Sequence, residues 1–484
     1  MVKLYGTLLE KIMRRLIFAI LLLLPITFAC SQRDENEHIF KTEKLLAPNS
    51  DYIILLEQYS EPAQASETPP NPDVRDFILI QGRDIKHFPA VDSPAISRKG
   101  HVVAKNEKGE IIVDIPGEPE PYILNPPFAD LSEIFSGGYG ISASGENVYR
   151  LAVNQVTDKG KRKYQGKLIE FDLDHKRDMG VTTIFELNEG QYKKAEEFIH
   201  RCLSLPLQVS ENGDAVFYCA RKFEDYQPPH DPGDTLNYGS IADSFVKYDF
   251  YIYDRESEDF KPWYGSCEAK EYLVDMVGVS TDGNRTLFLS QRPSGTMDLL
   301  VQSEPAAKPD VIVTEKTYEL FHPCLSPEAS RVAYLRRILM DHDGITEAVM
   351  MRMDSRTEDV LLRLKGVADV MWADDLKAVA YISRSSYSSL VKDGKEPVLS
   401  EGNNYFLHIV NFDDMVDTAV FRAAEADKLR IVNILATAEK FADSSDNKHL
   451  GNEPQIVEKK ESPAHQTRRK TSRDTSSGPS ISSN

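Results

Sequence analysis

Short apolar runs joined by tight polar turns recur along most of this sequence. In residues 321–337 (FHPCLSPEASRVAYLRR), Ser326, Pro327 and Glu328 supply a turn. Proline presets the backbone angle of a type I turn, and serine can hydrogen-bond to nearby backbone groups. The apolar run at residues 332–335 is rich in β-forming residues and has the length of a strand rather than a helix. The pattern predicts a β-hairpin.

The same unit occurs seven times along the chain. Each turn follows a small anchor residue, and successive anchors lie 45 to 70 residues apart: Ala47, Ser97, Ser142, Ser210, Ser280, Ser326 and Ala373. A third apolar run and usually a fourth follow each hairpin, and four short antiparallel strands at this period are typical of a propeller blade. The sequence therefore predicts an all-β fold, a single seven-bladed β-propeller, with six or eight blades as alternatives. A β-sandwich with irregular hairpins is the remaining alternative.

These units resemble the TolB-type, WD-repeat-like propeller repeat. That repeat has a proline, a hydrophobic residue, Ser-Pro-Asp-Gly and then a short strand ending in Ala-Phe or similar. The resemblance covers roughly residues 40 to 423, and residues 322–334 fit best, with Glu328 and Ala329 where the family has Asp and Gly. The same repeat occurs in the propellers of prolyl oligopeptidase-type peptidases. The resemblance implies a propeller and leaves both a binder and an enzyme open.

The amino terminus has the order of an export signal. Arg14 and Arg15 precede the apolar run 16–26 (LIFAILLLLPI), and residues 27–30 (TFAC) end in a cysteine. The apolar run is too short for a comfortable membrane span. The segment is similar to bacterial lipoprotein signals, which implies that residues 1–29 are removed and Cys30 carries the lipid. Ser31 after the cysteine implies the outer membrane by the sorting rule of proteobacteria. An ordinary secretory signal on a soluble protein is the alternative.

Three further segments follow the signal peptide. Residues 30–38 form a polar tether, residues 39–442 the propeller, and residues 443–484 a tail with hardly an apolar residue, which should be disordered. The body is thus expected in the cell envelope, in the periplasm or at the cell surface, with the N-terminal lipid in the membrane.

The charge of the chain restricts its partners. The chain carries 57 basic and 76 acidic residues, a net charge of −19, and residues 30–442 alone carry about −23. A body this acidic repels nucleic acid and anionic membrane surfaces. We therefore expect no nucleic-acid partner, and a monomer that binds an envelope protein.

The cysteines permit more than one arrangement. Beyond Cys30 the sequence contains an even number of cysteines, as disulfides in an oxidising compartment require: Cys202, Cys219, Cys267 and Cys324. Three pairings are open. Cys202 and Cys219 flank the turn at residues 211–213, so a bridge between them and buried free thiols are both compatible with the sequence. The absence of CxxC or paired His/Cys spacing argues against zinc.

Motifs for catalysis or cofactor binding are absent. The sequence has no GxSxG elbow, no HExxH pair and no glycine-rich phosphate loop. Asp341 and Asp343, with Glu347, resemble a fragment of a calcium loop, because alternating carboxylates suit a hard cation. A solvated hairpin loop is the alternative. The sequence therefore predicts no catalytic residue and no cofactor.

The remaining candidate site lies in the loops. Turns between the first and second strands of all blades share one face, which we call the tight-turn face. The long insertions, residues 154–166, 188–202, 221–246, 337–347 and 383–403, fall on the opposite, long-loop face. Loop 221–246 carries residues suited to protein or glycan contacts: Tyr226, His230, Asp231, Asp234 and Tyr238.

Two functions follow from this arrangement. The first is an envelope lipoprotein whose propeller is a non-catalytic protein-binding or scaffolding module. The second is a propeller hydrolase or lyase acting on peptide or glycan at the channel mouth. A binder should present loop aromatics and no buried polar cluster at that mouth, whereas an enzyme should present convergent carboxylates or histidine.

Overall fold

The predominance of β-strands is confirmed by the computed structural model of the chain. The structure describes residues 44–60, 75–124, 132–220, 249–264, 273–292, 294–338, 344–392, 395, 397, 404–423 and 427–446. These residues form 28 strands in six sheets, and two helices. Every strand pair within the sheets is antiparallel, as the hairpin pattern predicts.

The largest sheet has seven strands. In order across the sheet they are β28 (Asp427–Ala436), β2 (Asn49–Ser60), β3 (Arg75–Gly82), β4 (Asp84–Ile96), β5 (Val102–Asn106), β6 (Ile111–Asp114) and β7 (Tyr122–Ile123). The first half of β4 pairs with β3, and the second half, from Val91 onward, pairs with β5. One long strand therefore belongs to two successive four-stranded groups.

The other sheets are meanders of four consecutive strands, one of them extended by a fifth. The first contains β8 (Ser132–Ile141), β9 (Asn147–Asp158), β10 (Lys161–Asp172) and β11 (Arg177–Asn188). The second contains β12 (Gln208–Val209), β13 (Ala215–Ala220), β14 (Asp249–Asp254) and β15 (Asp259–Tyr264). The third contains β16 (Leu273–Val279), β17 (Thr286–Gln291), β18 (Met297–Gln302) and β19 (Asp310–Glu315).

Two more sheets complete the chain. One contains β20 (Tyr318–Leu325), β21 (Arg331–Ile338), β22 (Ile345–Arg352) and β23 (Glu358–Lys365). The last contains β24 (Val367–Trp372), β25 (Ala378–Ser383), β26 (Phe406–Asn411) and β27 (Asp417–Arg422), with β1 (Lys44–Leu45) added beside β27.

The anchor serines of the repeat form the tight turns. The hydroxyl of Ser210 accepts a hydrogen bond from the backbone N–H of Ala215, five residues later, at 2.9 Å. The same bond recurs at Ser142, Ser280 and Ser326. A serine at this position satisfies a backbone donor that the turn would otherwise leave unpaired. The repeat seen in the sequence is therefore a repeat of one hydrogen-bonded turn.

The hydrophobic core lies between neighbouring sheets. One cluster joins β17 and β18 to β20, β21 and β22 through fully buried side chains such as Leu287, Val332 and Tyr334. Another joins β21 and β22 to β24 and β25, with Trp372 at its centre. Each sheet thus buries apolar residues on both faces, which explains why many strands read as continuous apolar runs.

Both ends of the described chain take part in strand pairing. At the N-terminal end, Lys44 of β1 pairs with Arg422 of β27, so β1 adds a fifth strand to the last sheet. The C-terminal end makes a second connection. Strand β28 pairs with β2, with Ile54 opposite Ile434, so the C-terminal strand completes the first group. The pairing covers an edge of β2 that would otherwise be free to associate.

Two of the predicted insertions are ordered elements instead of loops. Residues 188–202 form most of helix α1 (Glu189–Leu203), in which Asn188 and Gln191 make a capping box and one apolar face is buried. The described part of the chain is therefore mostly β-sheet, as predicted, and also contains two helices. Residues 154–166 continue strands β9 and β10 as a paired hairpin closed at Lys159 and Gly160, both with positive φ, as a two-residue hairpin turn requires.

Candidate functional site

A cavity of about 740 Å³ lies where the first strands of successive groups meet. Its wall includes residues of β4, β8, β12, β16, β20, β24 and β28, which we call the inner strands. The size is within the range of small-molecule and peptide pockets. The tight turns that follow the inner strands lie at one end of this cavity.

An ion cluster around one buried arginine occupies the tight-turn end. The guanidinium of Arg98 donates to Glu211 through Nε to Oε1 at 2.8 Å and Nη2 to Oε2 at 3.1 Å. Its Nη1 lies 2.5 Å from Oδ2 of Asp374 and donates to the carbonyl of Ala436 at 3.1 Å. The Arg98 side chain is 5% exposed. We call Arg98, Glu211 and Asp374 the charge cluster, which links three groups of strands and β28.

Burial sets the protonation of the charge cluster. The pKa of Asp374 is raised to about 7, chiefly by burial, although Arg98 and the N–H of Ala436 oppose the rise and the nearby carboxylates of Asp375 and Glu211 add to it. For Arg98, burial acts to lower the pKa, but Asp374 and Glu211 outweigh it and raise the pKa. Near neutral pH the Asp374 carboxyl is therefore divided between its neutral and its charged form, while Arg98 stays charged.

Helix α2 (Ala438–Asp446) covers this end of the cavity. The Phe441 ring centroid lies 3.4 Å from Cζ of Arg98, which places the ring on the face of the guanidinium as in a cation–π contact. Phe441 also lines the cavity. The charge cluster and Phe441 together close the tight-turn end.

The opposite end of the cavity carries accessible charged groups. Glu57 is buried on β2, and it pairs with Nη1 of Arg75 and lies 3.9 Å from Nη1 of Arg430. The side chains of Arg75 and Arg430 are about half exposed, at 49% and 57%. The cavity therefore reaches solvent on the long-loop face.

His322 lies in the cavity wall in a strained backbone conformation. Its φ is +44°, at an irregularity of β20 between Phe321 and Cys324. Nε2 of His322 lies 3.7 Å from Oδ1 of Asp369, whose other oxygen accepts the N–H of Ile431 at 2.7 Å. Positive φ at a non-glycine residue costs about 1–3 kcal/mol and is found most often at functional sites.

The chemistry open to the two ends differs. Glu211 and Asp374 converge, which is the feature expected of an enzyme, but Arg98 and the N–H of Ala436 engage all four of their oxygens. His322 and Asp369 could hold a proton beside a ligand. Among the residues that the structure describes, no group of three or more His, Cys, Asp or Glu side chains is placed to hold a metal ion.

Most of the site residues predicted from the sequence fall outside the described ranges. These are Cys30, Tyr226, His230, Asp231, Asp234, Tyr238, Asp341 and Asp343. Glu347 lies in β22, and its two oxygens accept hydrogen bonds from Arg336 and Arg363 at 2.9 and 2.8 Å. That carboxylate is engaged in ion pairs within the sheet.

None of the described cysteines forms a disulfide. Cys202, on the buried face of α1, and Cys219, in β13, lie in the same core cluster, so the alternative of buried thiols applies to this pair. Cys324 is a free thiol in the cavity wall, and burial raises its pKa to about 12. Cys267 lies outside the described ranges.

The charge cluster was missed at the sequence level, although the repeat contains a signal for it. Arg98, Glu211 and Asp374 each follow an anchor, Ser97, Ser210 and Ala373. The equivalent residues in three other units are Ala143, Thr281 and Pro327, which are uncharged. Equivalent positions of a repeat point to the same place in the fold, so charges of opposite sign there predict an ion cluster.

None of the helices in the described part of the chain is both long enough and apolar enough to span a bilayer. No protein-family model matches the sequence, and no curated protein matches it with significance.

Solved structures of propeller proteins are similar to this chain. A TolB-type protein from Agrobacterium tumefaciens is 16% identical, with a TM-score of 0.33, over 66% of this chain and 91% of that one. Oligogalacturonate lyase from Vibrio parahaemolyticus is 9% identical, with a TM-score of 0.41, over 77% and 86%. A puromycin-hydrolysing peptidase from Mycobacterium tuberculosis is 12% identical, with a TM-score of 0.44, over 79% and 54%.

These similarities concern the fold alone, because identities this low carry no information about activity. The strand pairing itself shows the type of fold. Successive four-stranded antiparallel meanders, whose first strands line one cavity, have the arrangement of a β-propeller.

Proposed function

We propose that this protein is a cell-envelope lipoprotein, anchored through Cys30, whose β-propeller binds a protein partner without catalysing a reaction. The observation that carries the proposal is the state of the cavity acids. Arg98 holds both Glu211 and Asp374, and Phe441 covers Arg98. A general acid or base must reach the proton that it transfers, and here both oxygens of Glu211 and one of Asp374 face Arg98, while the other oxygen of Asp374 accepts the N–H of Ala436.

We further propose that the propeller has seven blades. The seven inner strands each begin a four-stranded group, with β4 divided between the first and second groups and β28 completing the first. A six-bladed propeller would leave one of these inner strands without a four-stranded group. An eight-bladed propeller would need an eighth inner strand. The pairing of β1 with β27 supports closure at the outer edge as well.

The partner would bind on the long-loop face. The cavity reaches solvent there beside Arg75 and Arg430, whereas the charge cluster and Phe441 cover the other end. On this face Tyr387 is 71% exposed in the segment between β25 and β26. Exposed aromatic residues are frequent anchors of protein interfaces because they bury a large area at low entropic cost. Loop 221–246, with Tyr226 and Tyr238, would supply the main contact.

Lipid anchoring is tested by metabolic labelling with a palmitate analogue. The wild-type protein should incorporate the label and sediment with membranes, and Cys30→Ser should do neither. If Cys30→Ser still carries label, the anchor is elsewhere. Fractionation of inner and outer membranes then tests the expected location in the outer membrane.

Binding without catalysis is tested with the purified body, residues 31–484. Immobilised body should capture the same envelope proteins as the full lipoprotein, and the intact mass of each captured protein should equal that of the uncaptured protein. Cleavage or loss of a glycan from the captured protein during incubation would contradict the proposal and favour an enzyme.

A propeller enzyme acting on peptide or glycan is the second candidate, favoured by one observation. His322 faces the cavity in a strained conformation beside Asp369. In an enzyme these two would form a proton-transferring pair, and His322→Ala would abolish the modification of captured material while leaving capture intact. In a binding module the same variant changes only affinity.

A further inference from the structure

The cavity has the length and width of one extended polypeptide chain. Along β28 its wall runs from Arg430 to Leu435, which at about 3.4 Å per residue is a length of about 17 Å. A volume of about 740 Å³ over this length leaves a mean cross-section of about 44 Å². One strand in stacked sheets occupies about 48 Å², because strands lie about 4.8 Å apart and sheets about 10 Å apart. The cavity therefore has room for one extended chain with small side chains and is too narrow for two.

A chain that enters this cavity has to end inside it. The cavity reaches solvent beside Arg75 and Arg430, whereas the charge cluster and Phe441 close the tight-turn end. An internal loop of a ligand would need space for an entering and a leaving segment, and the cross-section does not provide it. The shape therefore selects a free chain end.

Two side-chain amides in the cavity wall are available to a peptide backbone. Gln208 of β12 and Asn433 of β28 line the cavity, and both are partly buried. Within the described part of the chain neither side chain has a hydrogen-bond partner. An amide side chain donates and accepts, as does each peptide group of an extended chain. In the seven-bladed arrangement β12 and β28 begin the fourth and first groups, so the two amides approach such a chain from different sides.

We propose that the cavity binds the free amino end of a partner polypeptide, with about five residues in an extended conformation. The inference rests on the proposed binding function and names the part of the partner that enters the propeller. The amides of Gln208 and Asn433 would hydrogen-bond to the backbone of this segment. Recognition of the backbone leaves the sequence of the segment open, except that the narrow cross-section favours small side chains.

The charges at the closed end favour an amino end over a carboxyl end. The charge cluster contains two carboxylates, Glu211 and Asp374, and one cation, Arg98. It is therefore negative when both carboxylates are charged. The body as a whole is acidic too, because the chain has 76 acidic and 57 basic residues. A terminal ammonium is attracted to such a site, and a terminal carboxylate is repelled from it.

The experiment exposes the immobilised body, residues 31–484, to a synthetic peptide pool at pH 7.5 and identifies the retained peptides by mass spectrometry. Each peptide has a free amino end, five randomised residues and a constant glycine-serine tail that ends in a carboxamide. A second pool differs only by an acetyl group on the amino end. The body should retain peptides of the first pool at least tenfold more than those of the second, with glycine, alanine and serine enriched among them.

A double variant tests the amides. Gln208→Leu combined with Asn433→Leu removes both amides at nearly constant volume and should lower retention at least tenfold while thermal stability stays nearly unchanged. Gln291→Leu, at an exposed position of β17 outside the cavity wall, is the matched control and should retain peptides as the wild type does.

Crosslinking of the unaltered body gives a second measurement that does not depend on the folding of a variant. A retained peptide is resynthesised with photo-leucine at its first or its fifth residue. The first should crosslink beside the charge cluster, at Cys324 or Leu325, and the fifth beside Arg75 or Arg430.

The outcomes separate this inference from the proposed function. Equal retention of the two pools, or crosslinks in the reverse order, would overturn the inference. It would also be wrong if neither pool is retained while the same immobilised body captures envelope proteins, and the binding function would then stand. Retention of free-amino peptides without capture of any envelope protein would support the cavity site and contradict the proposed function.

Discussion

Arg98 and Glu211, 113 residues apart in the sequence, form a two-point ion pair across the end of the cavity, with Nε–Oε1 and Nη2–Oε2 distances of 2.8 and 3.1 Å. The pair joins the second group of strands to the fourth. Asp374, from the last group, completes the charge cluster on the same guanidinium. One side chain therefore connects parts of the chain that share no sheet.

The first prediction concerns removal of this cation. Arg98→Met should destabilise the protein by about 2–4 kcal/mol, because it leaves two half-buried carboxylates without their buried cation. Urea unfolding of the two proteins, followed by circular dichroism, measures the difference. Lys193→Met removes an exposed pair with Glu189 on α1 and should cause no measurable change. A loss below about 1 kcal/mol in Arg98→Met would show that the charge cluster does not hold the groups together.

The second prediction concerns pH. With its pKa near 7 in the folded protein, Asp374 binds a proton between about pH 4 and pH 7 that the unfolded chain has released. Its contribution to stability is therefore fully present below about pH 4 and is lost as the pH rises through 7. Asp374→Asn removes this dependence and keeps an oxygen for the N–H of Ala436.

The measurement compares the unfolding free energies of wild type and Asp374→Asn at pH 5 and pH 8. The difference in unfolding free energy, variant minus wild type, should be larger at pH 8 than at pH 5. Arg98, Glu211, Asp375 and Cys324 face the same group and remain in both proteins, so their effects largely cancel. Parallel pH profiles in the two proteins would mean that Asp374 titrates as it does in the unfolded chain. Asp259→Asn, at an exposed site, is the control.

The third prediction concerns a close backbone approach that the sequence does not reveal. A Cβ atom on Gly138 of β8 would lie 2.0 Å from the carbonyl oxygen of Leu205, in the segment between α1 and β12. Gly138→Ala should therefore cost about 1–3 kcal/mol through overpacking. Gly180→Ala, in β11 of the same sheet, meets nothing within 4 Å and should be neutral or slightly stabilising. Equal thermal shifts in the two variants would disprove the close packing.

The extent to which the sequence predicts this fold depends on how local each interaction is. The anchor serines and the turns after them were predictable, because the hydrogen bond from the N–H of Ala215 to the hydroxyl of Ser210 spans five residues. Helix α1 could also have been predicted, since Asn188 and Gln191 form a capping box before an amphipathic run. The long hairpin of β9 and β10 was predictable in the same way, because the residues of its turn, Lys159 and Gly160, are adjacent in the sequence.

The charge cluster and the pairing of β28 with β2 join distant parts of the chain. Whether Arg98 meets Glu211 is decided by how successive sheets are placed, so the charges at equivalent repeat positions predict their contact only once a propeller is assumed. Strand β28 reads as an ordinary apolar run, and its pairing with β2 joins residues separated by nearly the whole propeller. The contact of Phe441 with Arg98 is of the same kind.

Capture of envelope proteins by two variants of the body decides which face binds the partner. Tyr226→Ala combined with Tyr238→Ala, in loop 221–246, which we expect on the long-loop face, should weaken capture by on the order of 2 kcal/mol or more while thermal stability stays nearly unchanged. Met415→Ala, at an exposed residue in the turn between β26 and β27 on the tight-turn face, should leave capture intact. If the double variant keeps every partner and Met415→Ala loses them, the partner binds the tight-turn face and the account is wrong.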